Sequence, residues 1–354
     1  MKQRDSNIEL LRIVSMLMIV AYHLISNGLL KFNGNGTYDI WANGSVMNKI
    51  FSAFFYPGGA VGNMLFFMIT GYFLAGCNKV RSFKTIVTET IFYSSGLCLL
   101  FLFLKYGIKI AIHNYGGGKT MLSSFFLPVT GGRNWFATAY ILLLLLIPVL
   151  NVFFDSLNKT RLVVFLLFFD FFVAGLGYFL SVPFYDLYIT IFYYGCGVFV
   201  KRFVCIDNEK KIHLLLCSFL FWCITAFVAY GFFLFNTQGE TLYSMICVWF
   251  LRTTFAPLCA FFFFAFMVSL KIGEKKVINL IASSTFAVYL IHGSVFQRMI
   301  WDNIFQINTI VYQKKCFPLL SIFIVIVIFI SCFCIDFLLK MIVKKINSKF
   351  RRNV

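Results

Sequence analysis

Long stretches without a single formal charge constrain this chain more than any other feature. No lysine, arginine, aspartate or glutamate stands between Arg12 and Lys31, Arg133 and Asp155, Lys211 and Glu240, Arg252 and Lys271, or Lys315 and Asp336. About 20 apolar residues are needed to cross the hydrocarbon core of a bilayer as a helix, and these intervals meet that length. Charged residues make up 12% of the sequence against about 25% in soluble domains, with 60% apolar residues and a mean hydropathy of +0.87. The pattern predicts an all-α, polytopic membrane helical bundle. Spans are expected at 8–28, 57–77, 86–106, 134–154, 162–181, 185–204, 212–235, 244–270, 279–300 and 317–340, about ten transmembrane helices in a single domain over 1–354. Lys2 and Arg4 before the first run resemble a signal peptide, but no small-residue cleavage site follows. A retained first helix is expected.

The net charge of +18 does not indicate nucleic acid, because the cations cluster in short segments between apolar runs. Twenty of the 31 lysines and arginines fall on one side of the expected topology, nine on the other, and Arg12 and Arg252 lie within spans. The positive-inside bias then places both termini in the cytoplasm. Eleven cysteines are scattered through apolar stretches with no CxxC pair and no Cys/His cluster, so neither a disulfide framework nor a metal site is expected. The longest external stretches, 29–56 and 107–133, are rich in Gly and Asn, and the apolar piece Met121–Val129 is too short to span and is expected to dip into the membrane. No internal repeat of the inverted transporter kind is visible.

Ionisable residues inside spans are costly and mark function or paired interior sites. Here they are Arg12, His23, Glu89, Asp170, Arg252, His292 and Asp336. His23 is eleven positions after Arg12, about 20° past whole turns, so both project from one helix face about 16 Å apart. That distance forbids direct contact but suits one elongated ligand touching both. Acyl-coenzyme A has this shape. The guanidinium would hold its anionic head, and the imidazole at the thioester would act as general base or acyl carrier. The competing reading has Arg12 snorkelling to headgroups and His23 bonded to a neighbouring helix. Tyr289 and His292 share a face at i and i+3, and His292 falls at a depth comparable with His23. A shared histidine pocket and a packed, hydrogen-bonded His292 both fit. Asp170 and Arg252, each near mid-span, are expected to pair, and Glu89 and Asp336 to pair with basic loops.

The stretch from Asn7 through Arg12 to His23 resembles the first helix of acyltransferase family 3, whose hallmark is an Arg and a His separated by ten residues. Phe66-Phe-Met-Ile-Thr70-Gly71-Tyr72 is similar to the family's second-helix motif, which usually has Ser at the place of Thr70. Arg81 and Lys84 occupy the position of its basic loop. Trp135-Phe136, Tyr140 and Pro148-Val-Leu-Asn151 resemble its fourth helix in the polysaccharide-modifying branch, and Tyr289-Leu-Ile-His292 matches a late Tyr-Leu-x-His element.

The resemblance implies a bacterial inner-membrane O-acyltransferase, with acyl-CoA, most often acetyl-CoA, as donor and a surface polysaccharide or lipid-linked sugar as acceptor. His23, Arg12, His292 and Tyr289 would be catalytic. Arg12, Arg81 and Lys84 would hold the CoA, and Arg133, Trp135 and Tyr140 the sugar. The extracytoplasmic hydrolase-like domain appended in some members is not expected. The alternative class is a transporter or flippase of lipid-linked sugars, which would move substrate without acyl transfer. A polysaccharide polymerase would need more external arginines than Arg133 and Arg298, and a purely structural membrane component would keep its function without His23.

Overall fold

A computed structural model describes residues 6–30, 39–77, 83–109, 124–129, 134–177, 180, 184–205 and 208–350. The described residues form helices and connections, with no strand among them. Fourteen α-helices follow in chain order. They are α1 (Ser6–His23), α2 (Asp39–Ala42), α3 (Val46–Phe55), α4 (Gly58–Leu74), α5 (Phe83–Leu102), α6 (Trp135–Ser156) and α7 (Lys159–Phe168), then α8 (Tyr185–Phe203), α9 (Lys211–Thr237), α10 (Thr241–Phe250), α11 (Ala256–Ser269), α12 (Lys276–Ala282), α13 (Thr285–His292) and α14 (Phe317–Phe350). Wider π-helical turns extend several of them, at Leu24–Leu29 after α1, Phe169–Leu176 after α7 and Leu251–Phe255 between α10 and α11.

Seven helical stretches among the described residues are long and apolar enough to cross a membrane: Ser6–Leu29, Val46–Leu74, Phe83–Gly107, Trp135–Ser156, Lys211–Thr237, Thr241–Ser269 and Phe317–Ile346. The chain is a multi-pass membrane bundle, and seven of the ten expected spans are helices of this length and hydropathy among the described residues. The three remaining spans coincide with shorter or more polar pieces. One breaks into α7 and a π segment, α8 carries Asp186, Lys201 and Arg202, and α12 and α13 are divided at Ser283–Ser284. The second span also starts earlier than expected. Residues 39–55, read from sequence as loop, fold into α2 and α3, and Ser45 caps α3 by accepting a hydrogen bond from the Asn48 N–H.

One end of the bundle is tied by polar side chains that satisfy the carbonyls left open where helices stop. Asn7 donates to Met267 O at 2.9 Å and Leu270 O at 2.8 Å beyond α11. Asn151 donates to Leu74 O at 2.8 Å and Cys77 O at 3.0 Å beyond α4. Lys201 reaches Ala75 O at 2.9 Å, and Arg202 reaches Phe154 O at 2.5 Å and Leu157 O at 3.1 Å. Cations suit this place because the helix dipole is negative there. Ser6 bonds to Asn279 at 2.9 Å and accepts from the Lys275 N–H at 2.7 Å, while Lys340 donates to Ser283 O at 3.1 Å. The start of α1 and the late turns of α14 therefore meet at this same end, both on α12 and the turn after it.

At the opposite end, Trp41 is buried against Tyr230 and Phe233 and donates to Ser52 Oγ at 2.8 Å. Tyr312 closes onto the Trp41 carbonyl at 3.0 Å, and Asn48 donates to Tyr312 O at 2.7 Å. Of the apolar piece expected to dip into the membrane, residues 124–129 are described. They hang on α5 and α6, Ser95 donating to Phe125 O at 3.0 Å and Thr138 to Val129 O.

α4 packs closely on both α1 and α8 because small residues let the backbones approach. A Cβ at Gly62 would stand 2.7 Å from Ser15 O and 2.8 Å from Ile19 Cγ1, and one at Gly197 would collide with the Met68 carbonyl. These two seams fix the rotation of α1 and α8 about α4, and with it the direction in which His23 and Asp186 point.

Candidate active site

His23 is the last residue of α1, immediately before the π turn Leu24–Leu29, and His292 is the last residue of α13, before Gly293. The two rings come from helices far apart in sequence. Nδ1 of His23 lies 2.8 Å from Nε2 of His292, with ring centroids 5.0 Å apart. Nδ1 of His292 lies 2.6 Å from the Val288 carbonyl oxygen. A carbonyl only accepts, so the proton on His292 belongs on Nδ1, and Nε2 of the neutral ring is then a bare acceptor. His23 must donate through Nδ1, which leaves its own Nε2 unprotonated. This assignment of protons follows from the network. His292 is fully buried and receives its orientation from its own helix.

His23 also forms part of the wall of a cavity of about 550 Å³. The same wall carries Tyr22, Tyr56, Asn63, Trp135, Asp186, Arg252 and Tyr289. Because Nδ1 of His23 is engaged, Nε2 is the nitrogen left for a molecule in this space. Aromatic rings frame the cavity: Tyr22 lies 5.5 Å from His23 and 5.1 Å from Tyr56, and Tyr289 stands edge-on to His292 at 6.3 Å. Trp135 is 39% exposed at the start of α6. An apolar frame with few convergent polar groups is the usual make-up of a small-molecule site. Two of those groups, His23 and Arg252, sit at or in π turns, which recur at functional sites.

The expected residues fall into three groups. His23, His292, Tyr289 and Trp135 are brought together. Tyr140 lies one layer back, stacked on Phe136 at 6.1 Å and accepting from Thr70 at 3.3 Å, and is not on the cavity wall. Arg12 follows Glu9 at the other end of α1, 3.6 Å from its carboxylate and half-exposed, and it too is not on this wall. The continuous α-helix keeps Arg12 and His23 about 16 Å apart. Lys84 is exposed in the first turn of α5, while Arg81 and Arg133 lie outside the described residues.

The expected Asp170–Arg252 pair does not form. Asp170 Oδ1 is buried without a hydrogen-bond partner among the described residues, and Arg252 instead shares the cavity with Asp186, on which its charge acts. The two π turns rotate the side chains away from the directions that regular helices would give. Asp336 is paired within α14, 2.7 Å from Lys340, rather than with a basic loop.

Sequence reasoning missed Tyr22, Tyr56, Asn63, Asp186 and Tyr193 on the cavity wall. Asp186 left a signal, a carboxylate in the first turn of an otherwise apolar helix. The others are ordinary members of apolar runs, and only the packing of α4 on α1 and α8 exposes them to one space.

Membrane-length helices thus surround a cavity that carries one of two paired histidines on its wall, the build of an integral-membrane protein with an internal small-molecule site. The chain matches the acyltransferase domain family, acyltransferase family 3, over residues 5–340, nearly its whole length, and belongs to that family. It is a membrane acyltransferase. No curated protein and no solved structure matches it significantly.

Proposed function

We propose that this acyltransferase moves an acyl group, of acetyl size, from acyl-CoA in the cytoplasm to a hydroxyl of a cell-surface polysaccharide or its lipid-linked precursor, in the bacterial cytoplasmic membrane. The observation that carries the proposal is the His23–His292 hydrogen bond, which leaves one imidazole nitrogen bare at the wall of a 550 Å³ cavity. The acceptor hydroxyl gives its proton to Nε2 of His23 as its oxygen forms a bond to the thioester carbonyl carbon. The carbon–sulfur bond breaks, the proton passes from Nε2 to the departing thiolate, and the products are the ester and free CoA. His292 holds the base in this tautomer and accepts part of the positive charge of the transient imidazolium through the same hydrogen bond.

Orientation supports a donor arriving from the end opposite the cavity. Lys84, Lys201, Arg202, Lys275, Lys276 and Lys340 gather at the end where α1 starts, the end that a positive-inside bias assigns to the cytoplasm. Arg12 lies near that end, and we assign it with Arg81 and Lys84 to the CoA phosphates. Arg133, Trp135 and Tyr140 remain assigned to the sugar, with Trp135 on the cavity wall as a stacking surface. Asn63, Asp186 and Arg252 supply donors and acceptors of both signs for the hydroxyls of a sugar ring.

The test is transfer of labelled acetyl from acetyl-CoA by purified protein to a membrane extract containing envelope glycan. Loss of label in His23→Ala, at unchanged protein level, is the expected result. Label transfer by His23→Ala at the rate of the unaltered protein ends the proposal. Movement of lipid-linked sugar without label transfer would identify a flippase instead.

A further inference from the structure

A second cavity, of about 660 Å³, lies between α5 and the late turns of α14, at the end of the bundle opposite His23. Thr88, Glu89, Phe92 and Tyr93 line it from α5, and Asp336, Leu339, Lys340, Val343, Lys344 and Ser348 from α14. The two helices run in opposite directions here, since α5 starts and α14 finishes at the basic end. On α5, Thr88 and Glu89 are therefore shallower than Phe92. On α14, Lys344 and Ser348 are shallower than Leu339. Thr88, Glu89, Lys344 and Ser348 stand at the mouth, Phe92, Leu339 and Val343 form the apolar sides, and the linked Tyr93, Asp336 and Lys340 close the floor. Phe92 and Val343, 51% and 47% exposed, open the apolar sides to the outside of the bundle, where lipid chains would run.

Charge decides which headgroup fits. Asp336 is fully buried and already engaged, its Oδ1 accepting from Tyr93 Oη at 2.5 Å and its Oδ2 ion-paired with Lys340 Nζ at 2.7 Å. Lys340 also donates to Ser283 O. One anion and one cation remain, Glu89 and Lys344, and neither forms an ion pair with another described residue. A single carboxylate and a single ammonium at the mouth of one groove complement a headgroup with one phosphate and one primary ammonium.

We infer that the groove between α5 and α14 binds a phosphatidylethanolamine-type lipid, its phosphate on Lys344 and its ammonium on Glu89, its chains along Phe92, Leu339 and Val343. Phosphatidylcholine offers the same charges, but its quaternary ammonium has no N–H to donate. Phosphatidylglycerol offers no cation to Glu89, so both are weaker ligands.

The experiment uses the full chain in phosphatidylcholine nanodiscs doped with one test lipid, released into the gas phase for native mass spectrometry of retained lipid. Phosphatidylethanolamine retained about tenfold more than either competitor is the expected result, consistent with one charge-assisted hydrogen bond. Glu89→Gln is expected to erase the preference over phosphatidylcholine. Lys344→Glu, on an exposed turn, is expected to lower retention of phosphatidylethanolamine even if Glu89→Gln fails to fold. Equal retention of the three lipids, preference for phosphatidylglycerol, or a preference that survives Glu89→Gln or Lys344→Glu overturns the inference.

Discussion

Nδ1 of His23 and Nε2 of His292 approach to 2.8 Å although 269 residues separate them. The consequence is asymmetric. His292 is anchored to the Val288 carbonyl of its own helix, so it can only hold and orient, while His23 is left with one free nitrogen at the cavity wall. The arrangement has the logic of a nucleophile–base–orienter chain in which the orienting acceptor is a second neutral imidazole in place of a carboxylate. In a bundle surrounded by lipid this avoids burying a carboxylate beside the base, where it would carry a desolvation cost.

Removing the orienter should therefore slow the reaction without emptying the site. His292→Ala is expected to lower kcat by about 10²-fold, roughly 2.7 kcal/mol of barrier, with little change in the KM of either substrate. His292→Gln keeps a carbonyl able to accept from His23 Nδ1 and should recover part of the loss. The measurement is labelled acetyl transfer at saturating donor, and a Gln variant as slow as Ala would deny His292 its acceptor role.

Arg12 tests the donor end separately. It lies away from the cavity wall, half-exposed beside Glu9. Its replacement should act through binding of the CoA phosphates rather than through chemistry. Arg12→Ala is expected to raise the KM for acetyl-CoA by about 10- to 100-fold, the scale of losing charge-assisted hydrogen bonds, while the KM for the acceptor stays put. Arg12→Lys keeps the charge but loses the fork and should fall between them. Initial rates across a donor concentration series decide it. A fall in kcat alone would remove Arg12 from the CoA site.

Much of this was legible before any coordinates. The uncharged intervals gave the bundle, and counting turns placed His23 and His292 at one depth. Their direct contact was not legible, because it depends on how far α1 and α13 rotate about their axes, and interhelical packing sets that rotation. The helix α3 was hidden by the Gly- and Asn-rich composition around it, although Ser45 three residues before Asn48 is an ordinary capping signal. Asp170 and Arg252 were matched by depth alone. Regular 3.6-residue geometry was assumed where the chain instead makes π turns, and each such turn shifts every later side chain around the helix.

The seam between α1 and α4 carries the rotation that aims His23, so crowding it should disturb both stability and catalysis. Gly62→Val places atoms where Ser15 O and Ile19 already stand, and overpacking of this kind costs about 1–3 kcal/mol. A drop in the thermal midpoint of the detergent-purified protein, with a larger fall in activity than in folded fraction, is the expected result. Gly96 on α5 has nothing within 4 Å of an added Cβ. Gly96→Ala should therefore leave activity unchanged and raise the midpoint slightly, since alanine stabilises a helix by about 0.5–1 kcal/mol over glycine. Equal tolerance of both changes would show that the close seam does not hold the site.

Asp186 and Arg252 share the wall with His23 but come from α8 and the π turn after α10, whereas the bonded histidines come from α1 and α13. If the cavity receives the acceptor, these two side chains meet the sugar and not the CoA. Arg252→Ala and Asp186→Asn are then each expected to raise the KM for the glycan acceptor by about tenfold, the loss of one charge-assisted hydrogen bond, and to leave the KM for acetyl-CoA as it was. Because the Arg252 charge acts on Asp186, the two effects should not add. The double variant is expected to lose less than the product of the single losses, as neighbours in one network do. Initial rates over a matrix of donor and acceptor concentrations separate the two KM values. A rise confined to acetyl-CoA would mean that the cavity is the donor's, and that the acceptor approaches His23 from elsewhere.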